Sequence, residues 1–270
     1  MAAPSQLQPL LDFELALHRE VADRVVERAW GTAFISPSVP RTMKANWISV
    51  ERPGLTAAEL VAHAEELLGG AGLPHRALIA YHVEAGVSLA AEFRRREGWK
   101  VERALYMRWR GDGGLRQPVD ARETGLAEIA GLRRALLIEN GAPGDDDPQL
   151  TATHRLEVDR RFGELTGDRW FCAPAAGEPQ STCRLYMRGP IAQVEDVGTL
   201  TPARGRGLAQ SVVRATIAAA RSGGAETIFL CADAEDWPRL MYERLGFEPL
   251  GELPWMRRRN ASPPPRAQTA

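Results

Sequence analysis

Cysteine is scarce: Cys172, Cys183 and Cys231 are the three in the chain, and no two of them form a Cys-x-x-Cys pair. An odd set without a Cys-x-x-Cys pair fits reduced thiols, or small core hydrophobes, better than a disulfide framework. Long hydrophobic runs are missing too, none approaching the ~20 residues that a membrane span requires. The opening stretch "MAAPSQLQPLLDFELALHRE" lacks the basic segment before an apolar block that marks a secretory leader. A soluble, cytoplasmic protein without a membrane partner is therefore expected. Charge of one sign is not in excess, since 34 basic residues against 35 acidic ones leave a formal net charge of −1. No global field draws nucleic acid or anionic lipid, so no nucleic-acid partner is expected and basic loops act locally. The five histidines show neither HxxxH nor HExxH spacing, and no metal is expected.

What is present is organised in two halves that rhyme. Leu10, Phe13, Leu17, Val21 and Val25 recur at helical spacing, and a second helix over 57–68 ends at Gly69 and Gly70. "RALIAYHV" follows as a buried strand, then the helix "SLAAEFRRREGW" and the strand "VERALYMRW". The glycine-rich stretch "RGDGGLRQPVDARETG" has the composition of a linker. Beyond it come helices over 125–139 and 153–165, with an acidic loop containing Asp145, Asp146 and Asp147 between them. Strands "RWFCA", "STCRLYMR" and "IAQVEDVGTLT", a helix over 208–221, the strand "TIFLCA", the short helix "PRLMYERLG" and a last strand complete the chain. "LVAHAEELLGGAGLPHRALIAYH" parallels "LAQSVVRATIAAARSGGAETIFLCA", which an internal duplication explains economically. The expected division is 1–110, a linker over 111–117, a second domain over 118–258 and a disordered tail over 259–270.

"TPARGRGLAQSVV" places two glycines and two arginines directly before an apolar helix. The first turn of a helix has unpaired N–H groups and a partial positive charge, and glycines let the backbone approach an anion closely. Residues Gly205 to Ala209 thus supply donors for a phosphate, and Arg204 and Arg206 border it with charge-assisted contacts. A tight surface turn with solvated arginines is the plainer alternative.

"RGRGLA" fits Arg/Gln-x-x-Gly-x-Gly/Ala, and after one helix and one strand "LMYERLGFEP" supplies Tyr242 four residues before a Gly-Phe pair. Together these resemble the GCN5-related N-acetyltransferase (GNAT) family over one full domain of the second half. The resemblance implies an α/β (α+β) fold of two GNAT-like domains, each a mixed, mostly antiparallel twisted sheet flanked by helices. It also implies acetyl-CoA as cosubstrate, with its pyrophosphate on Arg204, Gly205, Arg206, Gly207, Leu208 and Ala209. The sequence departs from the family where the last helix usually opens with Asn and Ala, since Glu235 and Pro238 stand there.

By the same resemblance Val197, Gly198 and Thr199 hydrogen-bond the pantetheine arm and offer an N–H to the oxyanion, and Tyr242 is the general acid that protonates the leaving thiolate. The alternative for Tyr242 is a core tyrosine packing its helix on the sheet. Glu195 is the preferred base, with a solvent-facing strand carboxylate as the alternative; strand alternation puts Glu195 and Asp196 on opposite faces. His154 and the Asp145–Asp147 run lie where the family shapes its acceptor site, though a surface histidine and a solvated loop describe them as well. In the first half the corresponding turn is "SVERPGLTAAEL", with Gly54 its only glycine, and Arg94 takes the place of Tyr242. The first half is therefore expected to be a degenerate repeat. The expected activity is acetyl transfer to the primary amine of a small molecule or peptide, by a monomer or homodimer. Alternatives are a noncatalytic acyl-CoA-binding or interaction module, and an enzyme similar to the tandem acetyltransferase that makes mycothiol.

Overall fold

A computed structural model of the chain describes residues 4–111, 120–141 and 145–259. Most of the expected linker and the tail beyond 259 lie outside these residues. The first half contains α1 (Pro4–Val21), β1 (Arg24–Arg28), β2 (Gly31–Ile35), β3 (Trp47–Val50), α2 (Ala57–Ala64), β4 (His75–Ala80), α3 (Val83–Arg94) and β5 (Lys100–Trp109). The second contains β6 (Arg122–Thr124), α4 (Leu126–Glu139), α5 (Pro148–Thr166), β7 (Trp170–Ala173), β8 (Ser181–Arg188), β9 (Ile191–Thr199), α6 (Leu208–Ser222), β10 (Thr227–Asp233), α7 (Pro238–Arg244) and β11 (Phe247–Arg259). The fold is α/β, with mostly antiparallel sheets flanked by helices. Two local expectations change. Val25 leaves the helical series and lies on β1, and the end of the glycine-rich stretch forms β6, paired with β7.

The chain folds into two compact units that are not contiguous in sequence. The larger is built from α1 and Ala104–Glu252, the smaller from Ala22–Arg103 and the end of β11 from Leu253 onward. This differs from a division at 110 and 118, because each unit takes its last strand from the other half of the sequence. In the larger unit β6, β7, β8 and β9 pair antiparallel in order, β9 pairs parallel with β10, and β10 pairs antiparallel with Ala104–Arg108 of β5. In the smaller unit β1, β2 and β3 pair antiparallel, β3 pairs parallel with β4, and β4 pairs antiparallel with 255–259 of β11.

In the larger unit α6 covers one sheet face. Leu208, Val212, Val213, Ile217 and Ala220 fall at helical spacing and pack on Cys183, Leu185, Val194, Ile228 and Leu230. Each large apolar side chain so buried stabilises by ~1.5–3 kcal/mol. The other face takes α1. Its Phe13 meets Phe229 edge-on at 5.7 Å, and its buried Glu14 accepts hydrogen bonds from the Tyr106 hydroxyl (2.6 Å) and Gln193 Nε2 (2.8 Å). A carboxylate with two donors explains why an amphipathic helix from the chain start belongs to this unit.

The smaller unit buries His75, whose Nε2 donates to the Asn46 carbonyl at 3.0 Å. Burial disfavours its charged form and outweighs that hydrogen bond, pushing its pKa down to about 4. The unfolded chain binds this proton near the ordinary 6.5 and the folded chain only near 4, so stability falls as pH drops through that window. Urea unfolding of the smaller unit is expected to lose roughly 2–3 kcal/mol between neutral pH and pH ~4 from this group. His75→Gln is expected to flatten the slope, and an unchanged pH profile in that variant would assign the acid sensitivity elsewhere.

Candidate active site

The larger unit contains a cleft of about 540 Å³ that opens where its sheet comes apart. β9 and β10 pair only over Ile191–Gln193 and Thr227–Phe229, after which β9 continues to Thr199 without that neighbour. On its other side β9 carries a bulge. Thr182 faces Gly198 and Arg184 faces Glu195, so Asp196 and Val197 together oppose Cys183 alone. Asp196 takes φ +53°, the left-handed region that a short polar residue tolerates best. The strict alternation expected for "VEDVGT" breaks here, and Asp196 rather than Glu195 lines the cleft.

Asp196 is fixed by two guanidiniums. Its Oδ1 accepts from Arg133 Nη2 on α4 at 2.7 Å and from Arg155 Nη2 on α5 at 2.6 Å. Both arginines reach on to the fully buried Asp159, at 2.8 Å from Arg133 Nε and 3.4 Å from Arg155 Nε. Arg184 lies 3.6 Å from the same carboxylate, donates to the Asp159 carbonyl, and sits against the rings of Trp170 and Tyr186. Burial opposes charge on Arg133 and Arg155, but the carboxylates of Asp196 and Asp159 outweigh it and raise both pKa values.

At the other end of the cleft the chain turns from β9 into α6. Gly205 (φ +77°) and Gly207 (φ +79°) take the left-handed backbone that glycine favours, and no side chain caps α6. A Cβ built at either glycine would meet nothing within 4 Å, so the space beside both is open. Glu139 at the end of α4 accepts from the Thr201 backbone N–H and hydroxyl and from Arg204, which fixes the start of the turn. Arg206 donates to Gln180 Oε1 at 2.9 Å.

Tyr242 lines the cleft from α7. Its ring meets Phe247 edge-on, and burial, followed by the neighbouring Cys183, Glu195 and Asp236, pushes the phenol pKa up. The hydroxyl therefore stays protonated across the neutral range. Two bonds from the end of β5 hold the far end of this helix: Trp109 Nε1 donates to the Leu245 carbonyl and the Arg110 N–H to the Gly246 carbonyl.

Of the residues expected from sequence, the cleft gathers Val197, Gly198, Thr199, Arg204, Gly205, Gly207, Leu208, Ala209 and Tyr242. Arg206 and Glu195 are not in its lining. Glu195 is half-buried on β9, within electrostatic reach of Tyr242 and Cys231. His154 is half-buried on α5 outside the lining, and Asp147 caps α5 by accepting from the Leu150 N–H. Arg133, Arg155, Asp196 and the exposed Trp237 and Leu240 at the rim were not expected. Among the described residues no group of three or more His, Cys, Asp or Glu is placed to hold a metal, and no helix is long and apolar enough to cross a membrane.

Solved structures of acetyltransferases share this α/β fold with its mostly antiparallel sheet. The comparisons agree. A functionally unknown conserved protein from Staphylococcus epidermidis superposes with a TM-score of 0.67 at 13% identity, over 89% of this chain and 95% of its own. A GCN5-related N-acetyltransferase from Kribbella flavida gives 0.58 at 18% identity, over 93% and 95%. Another from Sphaerobacter thermophilus gives 0.51 at 20%, over 80% and 75%. No curated protein matches the sequence. Residues 138–247 match the family model of the acetyltransferase (GNAT) family.

Removing one member of a buried ion network strands the others, at a cost of ~3–5 kcal/mol. Asp159→Asn is expected to lose about that much in urea unfolding, because three guanidiniums face its carboxylate. Glu139→Gln, which breaks the exposed pair with Arg204, is expected to lose within ~1 kcal/mol. Equal losses would deny the Asp159 network its structural weight.

Proposed function

We propose that the larger unit is an acetyl-CoA-dependent N-acetyltransferase acting on a primary amine of a small molecule or peptide. The observation carrying this is the single cleft that holds the open glycine turn, the free edge of β9 and Tyr242 together. The uncapped first turn of α6 and the space beside Gly205 and Gly207 fit a pyrophosphate. Arg204 borders it, Arg206 stands further out, and Val197, Gly198 and Thr199 supply strand hydrogen bonds to the pantetheine arm. Acetyl-CoA brings the activated acyl group and its thiol leaving group. In this reading Tyr242, which lines the cleft and is kept protonated by burial, gives the sulfur its proton. Glu195, on β9 but outside the cleft lining, is the base in this reading and takes the amine's proton through water.

The smaller unit, read as a degenerate repeat over the first half, carries no second cofactor site. At the start of α2 the Thr56 hydroxyl accepts from the Glu59 N–H, and Glu59 Oε2 accepts from the Thr56 N–H. Glu92 Oε2 accepts from the Ala57 N–H at 2.8 Å. Two carboxylates thus occupy the helix end that an incoming phosphate would need, and like charge repels it. Arg94, at the place of Tyr242, is exposed and gives up no proton at working pH. The three free thiols support a reducing, cytoplasmic setting.

Calorimetry is expected to count one acetyl-CoA per chain, and two would overturn the assignment of the smaller unit. Gly207→Val strains a left-handed backbone and fills the open side of the turn, so acetyl-CoA affinity is expected to fall tenfold or more. Tyr242→Phe is expected to lower turnover ~10²-fold with cofactor affinity retained. Wild-type turnover in that variant would return Tyr242 to a packing role. Binding of acetyl-CoA without thiol release on any amine would favour a noncatalytic module.

A further inference from the structure

Four arginines line the cleft, and carboxylates already hold three of them: Asp196 and Asp159 hold Arg133 and Arg155, and Glu139 holds Arg204. Arg244, at the end of α7, is different. It is exposed, and among the described residues its side chain makes neither a hydrogen bond nor an ion pair. Trp237, Leu240, Met241 and Arg244 recur at i, i+3, i+4 and i+7 and all line the cleft, so an apolar stripe ends in one unpaired guanidinium.

A second observation lies on α6. Arg214 keeps only 7% of its exposure, leaves its Nε without a partner and pairs with no carboxylate among the described residues. Burial alone acts on its charge and pushes its pKa down. Its Nη2 donates to Gln210 Oε1 at 3.3 Å, and because a guanidinium can only donate, that bond turns the amide oxygen toward Arg214. The Nε2 donors of Gln210 are left with no protein acceptor among the described residues, and Gln210 lines the cleft. Gln210, Arg214 and Arg221 fall on one strip of α6, at i, i+4 and i+11. Arg221 sits over the ring of Trp109, whose Nε1 donates to the Leu245 carbonyl at the end of α7. The strip that carries Gln210 therefore faces the helix that carries Arg244. Gln210 also stands only ~4.5 Å along α6 from Gly207.

We propose that Gln210 and Arg244 recognise the 3′-phosphate of acetyl-CoA, with Arg214 positioning the Gln210 amide; this rests on the acetyl-CoA reading of the cleft. Acetyl-CoA carries phosphate in two places, a pyrophosphate within its chain and a monoester on its ribose. The glycine turn suits the first, through backbone N–H groups. The monoester bears about −1.5 to −2 charge at neutral pH and presents three oxygens, which an unpaired guanidinium and an amide with two open donors complement. An acyl group carried on a protein's phosphopantetheine arm has no such phosphate and gains nothing from either residue. The donor selected is free acyl-CoA.

The test measures binding to the full chain by calorimetry, with acetyl-CoA and acetyl-3′-dephospho-CoA. Acetyl-CoA is expected to bind roughly 10- to 100-fold more tightly. Arg244→Gln is expected to bring that ratio near one by weakening acetyl-CoA alone, and Arg244→Lys to retain part of it. Gln210→Met, which keeps the length without the donors, is expected to lose a smaller part. Arg214→Met is expected to lower the ratio as Gln210→Met does, and Arg214→Lys to restore most of it. Urea unfolding of Arg244→Gln is expected to match the wild type, which separates lost recognition from lost fold. Equal affinity for the two donors in the wild type, an undiminished ratio in Arg244→Gln, or a ratio lost in Arg206→Gln instead would overturn the inference and leave the acetyl-CoA reading standing. An equal fall for both donors in Arg244→Gln would put that residue at the pyrophosphate and overturn the inference as well. Binding of neither donor by the wild type would remove both readings.

Discussion

Asp196 holds a backbone conformation that costs an ordinary L-residue ~1–2 kcal/mol, and the guanidiniums of Arg133 and Arg155 keep it there. The bulge it makes is what parts the register between Thr182 and Arg184 and turns the following residues of β9 toward the cleft. Because Arg133 comes from α4 and Arg155 from α5, the same two bonds tie both helices to the strand. Asp159 ties the arginines to each other, and Arg184, against Trp170, ties the set to β8. Packing alone would let these elements slide by small amounts. Directional, buried charge pairs do not, and they fix the strand edge on which the cofactor would lie.

The glycine turn and the position of Tyr242 were legible in the sequence because both are local: two glycines before an apolar helix, and a tyrosine four residues before Gly246. The helix 208–221 and most strands of the second half were legible from periodicity and differ from the structure by a residue or two. The choice between Glu195 and Asp196 was not, since alternation holds only in an unbroken ladder and nothing in "VEDVGT" announces a bulge. Arg133 and Arg155 were hidden for another reason. They lie 63 and 41 residues from Asp196, and an arginine on a helix looks the same in sequence whether it is solvated or clamped to two aspartates. Unit membership was also illegible. Nothing in the sequence pattern had marked β1, β2 and β3 as strands, and β5 pairs with β10 more than a hundred residues away.

Comparison of the two helix starts that follow a strand shows how one architecture is given or denied an anion site. α6 begins with a left-handed glycine and no cap, leaving donors outward; α2 begins with a threonine–glutamate box that turns its donors inward. The second arrangement is the more stable for an isolated helix. The first leaves binding capacity at the expense of local stability, as functional turns commonly do.

The exchange of terminal strands has a consequence for biosynthesis. When the ribosome has finished the first half, β4 has no antiparallel partner, because residues 255–259 are yet to be made. The segment that follows α3, meanwhile, waits for β10, which emerges some 120 residues later. The larger unit cannot close its sheet until β10 has been made, nor the smaller one until residues 255–259 have. Exposed strand edges of that kind invite pairing with other chains, so the nascent protein depends on its own last strand, or on a chaperone, to protect them.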